Sequence, residues 1–393
     1  MSLSNKPAPA MRLLMAAAAL AALLGAGPAL AQPAPAPAPV SIPDSVVSPE
    51  VHADRTVTFR VYAPKANEVD LWGDWLATPT MATRTGGTVK MNKGADGVWT
   101  YTTAPLEATG HLYTFNLDGL AIADPVNPVS KSRSRTTGSL VEVPGTPTPV
   151  WQLQNVPRGT VDINWQHSNA YNDERQFAVY LPPGYQKGSQ RYPVLYLVHG
   201  SGDVFISWTT AGNANIILDN LIAQKKAVPM IIVMPFLGRA YPQLPADPGR
   251  AQFDDYLVKE LIPYVDANYR TLTDRKNRAM AGLSAGGGAT FNVGLKHTDL
   301  ISQFGFFSAG EVNPGNIKAY PMFASADAAK GKFDLFWMSF GTTDPNHVPA
   351  QEFSDALTKN GVKHTYVTRD GGHVWPVWRW SLEQFAPLLF RNK

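Results

Sequence analysis

The sequence predicts two folded parts in series: an all-β sandwich over residues 45–145, then a mostly parallel α/β sheet over residues 164–393. Three observations carry this. Residues 57–119 hold short runs of alternating apolar and polar residues bounded by Gly, Pro, Asn and Asp, the pattern of a sandwich. Beyond residue 164, apolar strand-like runs alternate with segments of helical periodicity, the pattern of a sheet covered on both faces. Between them VEVPGTPTPVW (141–151) is rich in Pro and Gly and marks the boundary, with the connection extending over 146–163.

Ahead of the sandwich, Met11-Arg12 precedes an apolar run that ends in Ala29-Leu30-Ala31. A basic start, a short apolar core and small residues at an A-x-A site describe a secretory signal, so residues 1–31 are expected to be removed after Ala31. The strongly apolar part, Leu13 to Leu24, is short for a membrane span. The expectation is a secreted or periplasmic protein, with no membrane attachment after cleavage. Residues 32–44 begin QPAPAPAPV, an extended Pro/Ala tether. There is no cysteine, which excludes thiol catalysis and Cys-ligated metal. A net charge of +3 with no dense Lys/Arg block argues against nucleic acid as a partner. The sequence does not fix the oligomeric state.

In the first part VTFRVYAP (57–64), EVDLWGDW (68–75), GVWTYTTAP (97–105) and HLYTFNLDG (111–119) read as strands. In the second, strands are expected at 175–185, 193–200, 229–235, 277–283, 303–309, 334–341 and 364–370. Helices are expected at 216–227, 253–269, 288–297, 352–361 and 381–390.

Gly282-Leu283-Ser284-Ala285-Gly286 is a G-x-S-x-G motif between a strand and a helix, the context of a nucleophile elbow. The tight turn strains the serine, and the flanking glycines admit close backbone. A serine hydroxyl needs a base, normally a histidine oriented by a carboxylate. In α/β-hydrolase chains the order is Ser, then Asp or Glu, then His. His373 follows a C-terminal strand in Asp370-Gly371-Gly372-His373 and is the first choice, with His347 the competitor. Asp344, in Gly341-Thr342-Thr343-Asp344 at a strand's C-terminal end, is the first choice for the acid, with Glu311 and Asp370 as rivals. Ala285, just after the serine, and Ser201 in His199-Gly200-Ser201-Gly202 are the expected oxyanion donors, Gly202 being the alternative. His199 itself reads as a brace of that loop.

GLSAGGGATFNVGL, YPVLYLVHGSG, LIPYVDANYRTLTDRKNRAMAGLS, GTTD and GGHVWPVW together resemble the bacterial putative-esterase group, in particular carbohydrate esterase family one with its feruloyl and acetylxylan esterases. FRVYAP, the pattern Val69-x-Leu71-x-Gly73-x-Trp75 and DPVNP resemble the immunoglobulin-like early-set domains that precede catalytic domains in carbohydrate-active enzymes. The resemblance implies an α/β-hydrolase fold behind an early-set sandwich. It implies Ser284, Asp344 and His373 as a triad, with Ala285 and Ser201 at the oxyanion hole. It implies a serine esterase; together with the leader, the front domain and the aromatics near the motifs, the expectation is an exported enzyme acting on plant-polysaccharide esters, feruloyl ahead of acetyl, or on small aromatic esters. This chemistry calls for no metal and no organic cofactor.

Trp208, Trp375 and Trp378 lie near the motifs and are expected to contact substrate, while Phe236, Tyr241 and Trp380 are aromatics in the same stretches. Trp72, Trp75 and Trp99 fit either a sugar-binding face or sandwich packing. NWQHSNAYNDERQ (164–176) departs from the group's pattern and places one pocket wall in question. A trilactone siderophore esterase shares the elbow and the front domain, and is disfavoured because no Arg/Lys cluster lies near the motifs. A mycolyl-type acyltransferase lacks a visible route for a long acyl chain. A catalytically inactive carbohydrate-binding protein is the alternative of another class.

Overall fold

In the computed structural model, residues 41–76, 86–133, 136–238 and 251–391 are described; the expected signal segment, the expected tether through residue 40 and Tyr241 lie outside them. The first module is built from β1 (Glu50–Val51), β2 (Val57–Tyr62), β3 (Val69–Gly73), β4 (Gly87–Lys90), β5 (Asn92–Lys93) and β6 (Val98–Thr102). β7 (Gly110–Leu117), β8 (Leu120–Ile122), β9 (Ser130–Ser132) and β10 (Thr137–Glu142) complete it. One sheet has the order β1-β2-β6-β5 and the other β4-β3-β7-β10-β9, with β8 on β7; all the pairings are antiparallel. Alternation along β2 sends Val57, Phe59 and Val61 inward to meet Leu71, Tyr113 and Phe115. Burial of these side chains holds the sandwich, at about 1.5–3 kcal/mol for each large one.

The second module is a single eight-stranded sheet: β11 (Thr160–Ser168), β12 (Asp173–Leu181), β13 (Val194–Val198), β14 (Ile231–Pro235), β15 (Arg278–Leu283), β16 (Gln303–Phe307), β17 (Leu335–Gly341) and β18 (Thr365–Arg369). Its order is β11-β12-β14-β13-β15-β16-β17-β18. β11/β12 and β12/β14 pair antiparallel, and the rest pair parallel. The five residues of β13 and all six of β15 are buried, as strands covered on both faces must be. Two apolar clusters flank the sheet, one around Tyr196, Phe304 and Phe353, the other around Leu195, Ile217 and Phe385.

The strands expected in this module form, and β11 (Thr160–Ser168), not among those expected, joins them at the sheet edge, while several helices begin earlier. The helix expected at 288–297 starts at Ala285, at the very end of the elbow, and gives way to a 3-10 turn at Gly294–Lys296. The helix expected at 352–361 starts at His347, so that histidine opens a helix. The last helix starts at Trp375, with Pro376 in its first turn, where its missing N–H costs nothing. Residues 160–181 form a hairpin at the sheet edge, and none of them lines the cavity described below, so the departure at 164–176 reshapes no wall of it.

Asp44 to Lys393 form one compact unit. Arg379, fully buried in the last helix, ties the modules together. It donates through Nη1 to Glu142 of β10 (3.0 Å), through Nη2 to the same carboxylate, and through Nε to the carbonyl of Ala211 (2.6 Å). Gly110 makes room for this group: a methyl there would collide with the guanidinium and with Glu142. Among the described residues no helix is long and apolar enough to cross a membrane.

Candidate active site

β15 ends at Leu283, and the chain turns directly into the helix Ala285–Asn292. Ser284 at the turn has φ 49° and ψ −117°, outside the regions an L-residue prefers, so the surroundings must hold it there. They do so by close backbone packing. Its N–H donates to the carbonyl of Phe307 (2.8 Å), and its carbonyl accepts from Gly288 (2.9 Å). A Cβ on Gly286 would meet the carbonyls of Val198 and His199, and one on Gly282 the backbone of Gly286. The motif's glycines are therefore required by contact between three backbone segments. Ala285 is the first residue of the helix, where an N–H has no partner within the helix and the dipole is positive.

His373 and Asp344 arrive from the C-terminal ends of neighbouring parallel strands. Asp344 is 4% exposed; its Oδ1 accepts from the N–H of Asn346 (2.9 Å) and its Oδ2 lies 2.8 Å from Nδ1 of His373. An ionised carboxylate only accepts, so Nδ1 carries the proton and Nε2 is left as the basic nitrogen. His373 also meets Trp378 edge-on, ring centroids 5.1 Å apart. Glu311 lies elsewhere, against the helix face at Gly288, and Asp370 is near Thr342. His347 packs on Tyr366.

Ser284 and His373 line one cavity of about 270 Å³, together with Gly200 and Ser201 of the loop after β13. His199 braces this loop. Its Nδ1–H donates to the carbonyl of Gly200 (2.8 Å), and its Nε2 accepts from the N–H of Leu237 (3.0 Å). Full burial pushes its pKa down to about 4, so the ring is neutral and suited to this double role.

Trp375 and Trp378 line the cavity; Trp208 does not. Trp208 is fully buried, donates its indole N–H to the carbonyl of Val198 (3.1 Å) and meets Trp375 edge-on at 5.3 Å. The expected substrate contact at Trp208 is thus corrected to a buttress, because the helix-start tryptophans stand between it and the cavity. Phe236 is buried against His199, and Trp380 lies under the Arg369 guanidinium.

The sandwich supplies what sequence reasoning missed. Trp72 and Asp74 at the end of β3, Leu112 of β7, and Lys131 and Arg133 at β9 all line the same cavity. Along the chain no Arg/Lys cluster lies near the motifs, but in space Lys131, paired with Asp203, and Arg133 reach the cavity from the sandwich. The alternating Ser130-Lys131-Ser132-Arg133 was the available signal. Trp75 stacks on Phe59 (5.4 Å) and Trp99 donates to the carbonyl of Ala63 (3.0 Å), so both serve sandwich packing. Asp74 accepts from His111 Nδ1 and from the N–H of Leu112, each at 2.9 Å. Burial is the largest influence on the His111 pKa and lowers it, but the Asp74 charge, the hydrogen bond to Asp74 and the contacts with Glu107 together outweigh it and the net shift is upward. Among the described residues no group of three or more His, Asp or Glu could hold a metal ion.

Residues 168–389 match the family described as "Putative esterase", and residues 47–128 match "Carbohydrate-binding module 48 (Isoamylase N-terminal domain)". An endo-1,4-beta-xylanase/feruloyl esterase of Xylanibacter ruminicola is 32% identical over 353 residues, covering 87% of this chain and 46% of that protein. An esterase of Mycobacterium tuberculosis, Rv1288, is 32% identical over 54% of this chain and 53% of its own length. The chain thus spans about half the length of these curated relatives. Among solved structures, a ferulic acid esterase aligns with TM-score 0.54 and 28% identity over 60% of this chain and 99% of its own. The enterochelin esterase of Shigella flexneri aligns with TM-score 0.65 over 87% of this chain and 94% of its own, at 18% identity, a likeness of fold. The fold is therefore that of the α/β-hydrolases, behind an early-set β-sandwich.

Proposed function

The chain belongs to the "Putative esterase" family, and we propose that it is an exported serine esterase that hydrolyses feruloyl esters of plant cell-wall polysaccharide through Ser284, His373 and Asp344. The observation that carries the reading is the junction of a strained serine on a strand-to-helix turn with a histidine held on a buried carboxylate, both opening on one cavity. Ser284 Oγ attacks the ester carbonyl while His373 Nε2 takes its proton. The C–O π bond opens to an oxyanion received by the N–H groups of Ala285 and Ser201. Collapse breaks the bond to the alcohol, which leaves with the proton from His373. Water, deprotonated by His373, then attacks the acyl-enzyme and releases the acid and the serine. Asp344 holds the imidazole tautomer and stabilises the imidazolium.

The acyl preference rests on the cavity wall. Trp72, Trp375 and Trp378 with Leu112, Leu283 and Val374 offer flat and apolar surface to an aromatic acid, more than an acetyl group needs. The named relative and the ferulic acid esterase structure point the same way. Export rests on the leader-like residues 11–31 alone. A second reading, a trilactone siderophore esterase, is favoured by Arg133 at the cavity, a cation that suits a catecholate.

The test compares the parent with Ser284→Ala on methyl ferulate, a nitrophenyl acetate and a catecholate trilactone. Cleavage of ferulate by the parent and none by the variant supports the reading. Cleavage of acetate alone keeps the chemistry and removes the feruloyl preference. Preference for the trilactone selects the second reading, and no cleavage of any ester by the parent rejects the esterase.

A further inference from the structure

One lysine of the sandwich is buried within the catalytic cavity wall. Lys131, the central residue of β9, is 1% exposed, and its Nζ donates to Oδ1 of Asp203. The same ammonium lies 5.5 Å from the ring centroid of Trp375. Asp203, 6% exposed, lies in the loop that begins at His199, and its N–H closes the turn on the carbonyl of Gly200 (3.3 Å). The Gly200 carbonyl thus accepts from His199 Nδ1 and from the Asp203 N–H, and the Asp203 side chain is in turn held by Lys131, so the turn Gly200-Ser201-Gly202 is closed on a fixed point. Gly202 has φ +74° within it, a conformation that only a constrained loop keeps in one arrangement.

Two physical consequences follow. A loop released at the Asp203 end lets the Ser201 N–H drift, and a displacement of about 1 Å at a reacting group costs on the order of a hundredfold in rate. Asp203 also lines the cavity, where an uncompensated carboxylate would repel the charge that develops on the ester oxygen. Lys131 answers both. We propose that Lys131, although it belongs to the β-sandwich, is a positioning residue of the esterase site: through Asp203 it holds the oxyanion turn in place and neutralises the carboxylate beside it. The inference rests on Ser284 being the nucleophile. It makes the front module part of the catalytic centre, beyond any role in binding carbohydrate.

The experiment measures the rate at which a fluorophosphonate labels Ser284, since that reaction also places a developing oxyanion in the hole, alongside kcat and KM on a nitrophenyl acetate. The full chain is used, as parent, Lys131→Met, Asp203→Asn and the double variant Lys131→Met/Asp203→Leu. Lys131→Met is expected to label about tenfold to a hundredfold more slowly, with kcat falling in parallel and KM within about threefold. Asp203→Asn, which loses the tie but leaves no bare carboxylate, falls less. The double variant removes both charges and is expected to regain the parent's thermal stability without regaining its rate.

Should Lys131→Met fail to fold, Asp203→Asn and the double variant carry the test unchanged. Labelling within about twofold of the parent in the folded variants overturns the proposal, as does a double variant that recovers stability and rate together. A parent that is never labelled overturns the serine-nucleophile reading itself, and this inference with it.

Discussion

Acidification should weaken this protein through His199 in a way that can be isolated and measured. The imidazole is fully buried, donates from Nδ1 to Gly200 and accepts at Nε2 from Leu237, so protonation would both bury a charge and destroy the acceptor. Its pKa is pushed from 6.5 to about 4 by burial, with Asp203 opposing the shift. Because the folded-state value is depressed, the unfolded chain takes up a proton below pH 6.5 that the folded chain refuses, and stability falls as pH falls toward 4. At about 1.4 kcal/mol per pH unit the ceiling is about 3 kcal/mol, of which about 2 kcal/mol is lost between pH 7 and pH 5. Urea unfolding of the parent and of His199→Asn at several pH values reads this directly, since other titrating groups cancel in the difference. His199→Asn is expected to be the less stable protein at pH 7 and to close the gap by about 2 kcal/mol at pH 5. Parallel pH profiles, within about 0.5 kcal/mol, would refute the neutral-brace assignment.

Three further outcomes are expected. Asp344→Asn removes the carboxylate that fixes the His373 tautomer and should lower kcat by about four orders of magnitude with little change in melting temperature; a loss under tenfold would point to a different acid. Gly286→Ala places a methyl against the carbonyls of Val198 and His199 and should cost about 3 kcal/mol or prevent folding, so an unchanged melting temperature contradicts the three-segment contact. Glu142→Ala leaves the buried Arg379 without its anion and should cost about 2–4 kcal/mol, seen as a lower melting temperature of one cooperative transition; two separate transitions would show that the modules unfold independently.

The residues at the ends of core strands were legible in the sequence because strand order and motif alone constrain them. Ser284 stands after a run that reads as a buried strand, Asp344 follows another, and His373 follows the edge strand β18, where an open α/β sheet gathers its functional groups. Lys131, Arg133, Trp72 and Asp203 were not legible as site residues, because their place depends on how one module packs against the other, a contact set by Arg379, Glu142 and Gly110. Trp208 failed for a related reason. Its nearness in sequence to the loop after β13 says nothing of which side of that loop it takes, and Trp375 occupies the cavity side. The start of the last helix was missed because Trp-Pro-Val-Trp lacks the usual Ser, Thr, Asp or Asn cap, Val374 standing at that position.

The central claim is that one serine carries the acyl group between ester and water. The most direct test mixes the protein with a feruloyl ester, quenches with acid within the first turnovers, and maps the modified peptide by mass spectrometry. The account predicts a feruloyl group on Ser284 in the parent, a larger trapped fraction in Asp344→Asn, and none in Ser284→Ala. Turnover of the ester with Ser284 never acylated, or undiminished in Ser284→Ala, would contradict it.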